Sequence, residues 1–341
     1  MHTKHITTLA AAALFVLAMG CAHAEREEHR SHGYGSFEFA LIGDTPYIAS
    51  NTPGADYPQF DRLVAAINSD RRLKWVMHAG DIKNGSTLCS DDILLDRLER
   101  FSHIWKPLVY TPGDNEWTDC HRINNGGYQP LERLARLREL FFPAPGMTLG
   151  AVPMQVESQA QVPGYEEFPE NVRWSYNGVV FSTLHIVGSH NARDPFQTGS
   201  TAVRTVADDE EVVRRDAANL AWLNATFDEA EREGAPGVLV MIQANPGLEF
   251  DQSVTDRSGF EAFLQTLEAR TEAYGKPVVL AHGDSHYFRV DKPRLLDRPS
   301  LRNFTRVETF GSANVHWIRV NVDPRSEEVF AFEQQIVEDN P

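Results

Sequence analysis

Tyr110-Thr111-Pro112-Gly113-Asp114-Asn115-Glu116-Trp117 closes the apolar run Trp105–Tyr110 with a glycine and three polar residues. A carboxylate at the mouth of a buried strand is costly unless something positive meets it there. The pattern recurs: Gly43-Asp44 follows Phe37–Ile42, Gly80-Asp81 follows Trp75–Ala79, and Gly283-Asp284 follows Val278–Ala281. These are all the Gly-Asp pairs of the chain, where composition alone would place about one or two. Each sits at the C-terminal end of a strand-like run, the edge at which open α/β sheets build their sites. Four carboxylates converging on one edge imply a bound cation.

Working outward, the segments between the corners have helical periodicity. Phe60, Leu63, Val64 and Ile67 share one face, as do Ile93, Leu94, Leu98 and Phe101. The resulting β-α-β-α-β order predicts a mostly parallel sheet covered by helices. Beyond Asp114 the rhythm breaks. A short helix is expected from Pro130 to Leu140, inside an excursion over about residues 118–170 that could shape a substrate pocket. Arg173–Tyr176 and Val179–Val187 flank Asn177-Gly178, a strong hairpin signal. Asp208–Glu233 reads as a long helix with Val213, Leu220, Leu223 and Phe227 on one face. Gly237–Ala244 is a buried strand running into Gln243-Ala244-Asn245-Pro246. Ser258 can cap a helix carrying Phe260, Phe263, Leu264 and Leu267. Strands over Thr305–Phe310, Val315–Val322 and Val329–Val337 are expected to complete the fold.

The first 24 residues have the form of a secretory signal: Lys4, an apolar core Leu9–Met19, and the small-x-small site Ala22-His23-Ala24. Lipoprotein processing at Cys21, with a lipid anchor, is the alternative. Either route implies a periplasmic or secreted protein, and no other stretch is long and apolar enough to span a bilayer. Residues 25–36 read as a polar linker and 37–341 as the folded domain. The chain has net charge -16; residues 1–24 hold one Lys and no acid, so their removal makes it -17. So acidic a surface argues against nucleic acid as a partner, because phosphate backbones require Lys and Arg. A small phosphorylated substrate remains compatible, since bound metal reverses the local field. Cys89 and Cys120 lie a few residues beyond the Asp81 and Asp114 corners, and in an oxidising compartment a disulfide is expected.

The order of the motifs resembles that of the calcineurin-like metallophosphoesterase superfamily, of which the purple acid phosphatases are one branch. Its members carry Asp-x-His, Gly-Asp, Gly-Asn-His-Asp/Glu, a lone His and Gly-His-x-His after successive strands. Gly43-Asp44-Thr45-Pro46, Gly80-Asp81, Gly113-Asp114-Asn115-Glu116, Gln243-Ala244-Asn245-Pro246 and Gly283-Asp284-Ser285-His286 fall in that order, over about residues 37–320. The resemblance implies an α/β fold, a four-layer α/β/β/α sandwich of mixed sheets flanked by helices. It also implies a hydrolase that cleaves phosphate mono- or diesters with metal-activated water.

Carried over residue by residue, Asp44 corresponds to a ligand of the first metal, Asp81 to the carboxylate bridging both, and His286 to the final histidine ligand. The departures are substantial. Pro46 stands where a metal-binding His is usual, with Tyr47 beside it as a possible phenolate. Asp114 replaces an Asn ligand, and Asn115 replaces the His that protonates the leaving group. Asp284 replaces a His ligand. The fourth motif has no His, so Gln243 or Asn245 serves through an amide oxygen, or nothing does. These exchanges substitute oxygen for imidazole, and oxygen-rich sites suit Mn²⁺, Mg²⁺ or Ca²⁺ better than Zn²⁺; Mn²⁺ or Mg²⁺ is favoured, with Fe, Zn²⁺ or Ca²⁺ as alternatives. One or two divalent ions are expected. The missing acid leaves His282 and His121 as candidates for protonating the leaving group. Arg122 and Arg289 are candidates for holding phosphate. His78, His185, His190 and His316 are expected to be structural. A second expectation comes from another class: a scaffold that keeps its metal without turnover and acts as a binding or structural module.

Overall fold

Short apolar runs ended by glycine become the parallel strands of this chain. The structure is a computed structural model that describes Met1 and residues 34–341 apart from 252, 254 and 297. The expected signal, Cys21 and nearly all of the expected linker lie outside the described residues. The described strands are β1 (Phe37–Ile42), β2 (Leu73–His78), β3 (Leu108–Tyr110), β4 (Glu157–Ser158), β5 (Val172–Tyr176), β6 (Val179–Thr183), β7 (Val238–Met241), β8 (Val278–His282), β9 (Arg289–Asp291), β10 (Phe304–Glu308), β11 (Trp317–Val322) and β12 (Phe330–Gln335).

They form two mixed sheets, in the orders β12-β11-β1-β2-β3 and β4-β5-β6-β7-β8-β10-β9. In the first, β1, β2 and β3 run parallel, and β11 and β12 are antiparallel to their neighbours. In the second, β6, β7, β8 and β10 run parallel, flanked by antiparallel β5 and β9. Every residue of β7 and β8 is buried, as expected of strands covered on both faces.

Alternation along the strands sorts the apolar residues into separate cores. Phe39, Leu41, Trp75 and Met77 of the first sheet share a core with Phe181, Met241, Val279 and Val307 of the second. Trp75 stacks on Phe39 at 5.1 Å and meets Phe181 edge-on at 5.2 Å across it. On the other side of the first sheet, Ala40, Ile42 and Val76 pack with Phe60, Leu94, Phe101 and Leu137 from the helices Pro58–Ser69, Asp91–Ser102 and Pro130–Phe141. Val180, Val238, Val240 and Leu280 of the second sheet pack with Leu223, Phe227, Phe263 and Leu264 from the helices Val206–Glu233 and Glu261–Tyr274.

Several expectations shift at their edges. The third strand begins at Leu108, not Trp105, because Pro107 lacks an N–H for the ladder; Trp105 is 70% exposed. The hairpin forms at Asn177-Gly178, both left-handed (φ 46° and 78°), but β6 ends at Thr183 rather than Val187. The long helix buries Leu223 and Phe227 as expected, but its first half turns a different face inward. Val213 is 68% exposed, while Val212, Arg215, Asn219 and Trp222 are buried, because polar Arg215 and Asn219 reach in to bond backbone carbonyls near the site. Ser258 does not cap the following helix; its hydroxyl pairs with His190 Nε2 at 3.0 Å.

Candidate metal centre

The corners stand where the parallel strands end. Asp44 N–H donates to Gly80 O at 3.0 Å, locking the β1 corner to the β2 corner, and Thr111 N–H donates to His78 O at 3.2 Å beside β3. Asp44, Asp81 and Asp284 all adopt left-handed backbone (φ 53°, 57° and 81°), as does His286 (φ 62°). Aspartate tolerates this region better than most residues, and strain of this kind gathers at functional sites. Glycine is needed alongside: a Cβ on Gly113 would lie 2.0 Å from Asp81 Oδ1, and one on Gly283 2.4 Å from Asp44 Oδ2.

Asp81, Asp114 and Asp284 each present a carboxylate oxygen, all within 4.8 Å of one another. No described Lys, Arg or His forms an ion pair with any of the three. Asp44 joins them from the first sheet. Its oxygens accept the Asp284 N–H at 3.0 and 3.2 Å and the Thr309 hydroxyl at 3.2 Å, with His286 Nε2 3.4 Å from Oδ1. Burial, reinforced by Asp284, pushes Asp44 well above the usual carboxylate range. Burial and then Asp114 do the same to Asp81, and the same pair raises Asp284 to about 7. Each of these acids stands beside another acid, and no lysine or arginine forms an ion pair with any of them among the described residues.

His286 Nδ1 lies 2.6 Å from Ser312 O, an atom that only accepts, so Nδ1 carries the proton and Nε2 keeps its lone pair toward Asp44. Imidazoles that bind metals are oriented by such carbonyls. Gly188 leaves a cradle on the other side: a Cβ there would fall 2.6 Å from Asp114 Oδ2 and 3.0 Å from Asp284 Oδ1. The donor chemistry, the imidazole tautomer and the open space all fit a hard divalent cation.

The amide positions of the fourth motif face differently from each other. Gln243 Oε1 accepts the Gly188 N–H at 2.7 Å, and its Nε2 lies 3.4 Å from Asp114 Oδ1 and 3.2 Å from Asp284 Oδ1. Asn245 donates its backbone N–H to Asp284 Oδ2 at 3.0 Å, while its side-chain oxygen accepts from Gly247 N–H. Both amide oxygens are therefore engaged with backbone. Asn115 Nδ2 donates to Asp81 Oδ2 and to the Tyr47 hydroxyl, each at 2.9 Å, and Tyr47 in turn donates to Asp81 Oδ2 at 2.9 Å. Burial and then Asp81 drive the Tyr47 phenol well above its ordinary value, so it stands as a protonated donor.

The candidate histidines are elsewhere. His282 is fully buried with Nδ1 on Gly283 O at 2.9 Å, and burial takes it down to about 4. Its charged neighbours are Arg306, Glu249 and Arg289. His121 stacks on Phe196 at 4.6 Å and accepts the Gln197 N–H at 2.9 Å. Neither forms a hydrogen bond with an aspartate of the group. His78 braces the corners, with Nε2 on Thr45 O at 2.7 Å and Nδ1 accepting from Gly80 N–H at 3.2 Å.

Five contributors escaped the sequence reading. Glu116, three residues after Gly113, accepts the Asp81 and Gly113 N–H groups at 2.9 Å and the Tyr110 hydroxyl at 2.8 Å. Its place in Gly-Asp-Asn-Glu was the available signal. Lys83 is fully buried near Glu116, Asp81, Asp119 and Asp114, and burial lowers its ammonium to about 8. Its spacing two residues from Asp81 was a weak signal. Ser189 sits 2.8 Å from Asp114 Oδ2 and 2.7 Å from Asp119 Oδ1. Burial and then Asp114 raise Asp119 to about 8, against the pull of Arg122. Ser189 opens a turn, Ser189–Ala192, in which every φ lies between 49° and 64°. Left-handed backbone costs a non-glycine residue about 1–2 kcal/mol. Arg215 offsets this by donating to His185 O at 3.1 Å and Asn191 O at 3.2 Å. No local sequence signal announces such a turn.

Cys89 and Cys120 form a disulfide, tying the loop after β2 to the one after β3. No described helix is long and apolar enough to cross a membrane. No family model matches the chain, and no curated protein does. Among solved structures, the crystal structure of TT1561 of Thermus thermophilus superposes with a TM-score of 0.44 at 10% identity, covering 89% of this chain and 99% of that one. The crystal structure of phosphopantetheinyl hydrolase (PptH) from Mycobacterium tuberculosis gives 0.38 at 12% identity, covering 82% and 90%. Likeness at this level leaves the chemistry to be read from the site itself.

Proposed function

We propose that this chain is an exported phosphoesterase dependent on a divalent metal, built as a calcineurin-like α/β/β/α sandwich and acting on a small phosphorylated substrate. The observation that carries this reading is the convergence of Asp81, Asp114 and Asp284 within 4.8 Å, without an ion-pair partner among the described residues. Asp44, Asp81, Asp114, Asp284 and His286 would hold one or two ions. Gln243 and Asn245 would position Asp114 and Asp284 through the contacts described above. The one-nitrogen, many-oxygen donor set favours Mn²⁺ or Mg²⁺. The three apolar cores support the layer order, since helices cover the outer side of each sheet and side chains from both sheets fill the space between them.

A bound divalent ion would supply Lewis-acid stabilisation of phosphoryl charge and acidify water for the attack. The chain's own residues do the rest. Glu116 fixes the Asp81 and Gly113 backbone, Tyr47 and the Asn115 amide hold Asp81 Oδ2, and the Asn115 N–H steadies Oδ1 at 3.3 Å, whose second lone pair would serve for ligation. In hydrolysis the water oxygen joins phosphorus as the ester P–O bond breaks, and the leaving alkoxide takes up a proton. Tyr47, a phenol hydrogen-bonded to Asp81 at 2.9 Å, takes precedence over His282 and His121 for that role.

A scaffold that binds metal without turnover is the second reading, supported by Asn115, an amide that cannot protonate a leaving group. Elemental analysis after loading with Mn²⁺, followed by assay on p-nitrophenyl phosphate and bis(p-nitrophenyl) phosphate, separates the two. Tight metal binding without turnover under any divalent ion would leave only the scaffold. Asp81→Asn is expected to abolish metal occupancy under both readings, and retained occupancy would overturn the ligand assignment.

A further inference from the structure

We infer that Arg122 is the anion-recognition arm of this site and that it selects a terminal phosphate over an internal diester; this rests on the phosphoesterase reading. Lys83 and Arg122 lie beside the carboxylate group and Arg289 beside Glu308 behind it, and they differ in what they leave free. Lys83 is fully buried and donates to Asn84 O at 3.1 Å. Arg289 lies 3.1 Å from Glu249 and 3.8 Å from Glu308, so two acids already claim it. Arg122 pairs with a single acid, buried Asp119, at 2.6 Å through Nη1, and its side chain stays 40% exposed.

The guanidinium is aimed by what lies behind it. Arg122 Nη2 is 3.5 Å from Ser189 Oγ, and that oxygen is 2.8 Å from Asp114 Oδ2, so one hydroxyl separates the cation from the carboxylate triad. A Cβ on Gly85 would lie 3.0 Å from Asn115 Oδ1 and 3.5 Å from Arg122 Nη1. Arg122 and Asn115 therefore border the same glycine, and Asn115 is one of the residues that hold Asp81. Asp119 and the strained Ser189 turn are positioning residues here, because they fix the fork without facing substrate.

Chemistry then chooses the ligand. A monoester presents three non-bridging oxygens and close to two negative charges; a diester presents two oxygens and one charge. With its other oxygens facing the cation that the carboxylates would hold, a monoester keeps one more for the guanidinium, whose remaining N–H donors match it in the plane. A diester carries a second ester substituent at that position.

The test compares wild type with Arg122→Met and Arg122→Lys in the Mn²⁺-loaded full chain. Arg122→Met is expected to lower kcat/KM on p-nitrophenyl phosphate by about 100-fold. The change on bis(p-nitrophenyl) phosphate should be under about 3-fold, with Mn²⁺ content unaltered. Arg122→Lys should recover part of the loss, since it restores the charge without the fork. Calorimetric binding of inorganic phosphate should weaken at least about 10-fold in Arg122→Met. Equal losses on both esters, or unchanged phosphate affinity, would overturn the assignment. If wild type hydrolyses neither ester yet binds phosphate through Arg122, the anion site stands and the phosphoesterase reading falls.

Discussion

Glu116 belongs to no ligand set, yet it fixes the geometry of the group. Its carboxylate accepts from the N–H groups of Asp81 and Gly113 at 2.9 Å and from Tyr110 at 2.8 Å, with Ile82 N–H at 3.3 Å from the second oxygen. Glu116→Gln would set an amide NH₂ against those donors. Urea unfolding should then show a loss of about 3 kcal/mol, in the range for hydrogen bonds to a buried charged group. An unchanged midpoint would mean that the corner is held by other contacts. Gly188 acts by the side chain it lacks. Gly188→Ala adds a methyl 2.6 Å from Asp114 Oδ2. We expect Mn²⁺ affinity to fall by about 10–100-fold with the fold retained, the scale typical of disturbing groups just behind metal ligands. Titration calorimetry on the folded variant would settle it, and wild-type affinity would argue that the cation sits away from Gly188.

At the scale of elements, the site depends on loops that join strand ends rather than on the strands themselves. The disulfide closes the 31-residue separation between Cys89 and Cys120, and the segment inside it carries Asp114 and Asn115. On the chain-entropy account such a closure contributes about 3–4 kcal/mol. The double variant Cys89→Ser/Cys120→Ser should lose that amount in urea unfolding, while a loss below about 1 kcal/mol would show that packing alone fixes these loops. The turn Ser189–Ala192 follows the same logic by other means. Arg215, on the long helix, bonds carbonyls of His185 and Asn191, and Asn219 donates to His185 O at 2.8 Å. Polar residues on a buried helix face are here the price of a strained turn that places Ser189 beside Asp114.

For the whole molecule, the buried acids make stability depend on pH and metal together. The folded pKa of Asp284 is raised from 3.8 to about 7, that of Asp119 to about 8 and that of Glu308 to about 7. A raised folded value means that the folded chain keeps protons the unfolded chain has released. Stability is then fully present below the unfolded pKa and is lost as pH rises through the folded one. Glu170 and Glu249, lowered to about 2, act oppositely and lose their contribution only in stronger acid. Burial opposes that lowering in both; Arg138 and His185 bring it about for Glu170, and Asn245 and Arg306 for Glu249. His78 and His282, taken down to about 4 by burial, also lose their contribution as the pH falls below the unfolded histidine value. The metal-free protein should therefore have its highest Tm near about pH 5 and decline toward about pH 8. Saturating Mn²⁺ should remove the decline, because a cation replaces the protons. A Tm of the chelated protein that rises steadily from pH 5 to 8 would contradict the electrostatics of the site.

Four Gly-Asp corners at the ends of apolar runs were legible in the sequence because strand ends, glycine and a carboxylate are local features, each with its own physical signature. The hairpin at Asn177-Gly178, the helices before β2 and β3, and the proximity of Cys89 to Cys120 were readable for the same reason. Which corner residues share one point was not local. Asp44 and Asp284 are 240 residues apart, and it is their sheets' packing that lets the Asp284 N–H donate to Asp44. Lys83, Ser189 and Arg122 matter only through neighbours brought by other elements, so spacing along the chain could not rank Arg122 above Arg289. Sequence determined the carboxylates, since each is tied to the end of its own strand. Tertiary structure decided what surrounds them, because burial and long-range contacts determine which charges remain unpaired.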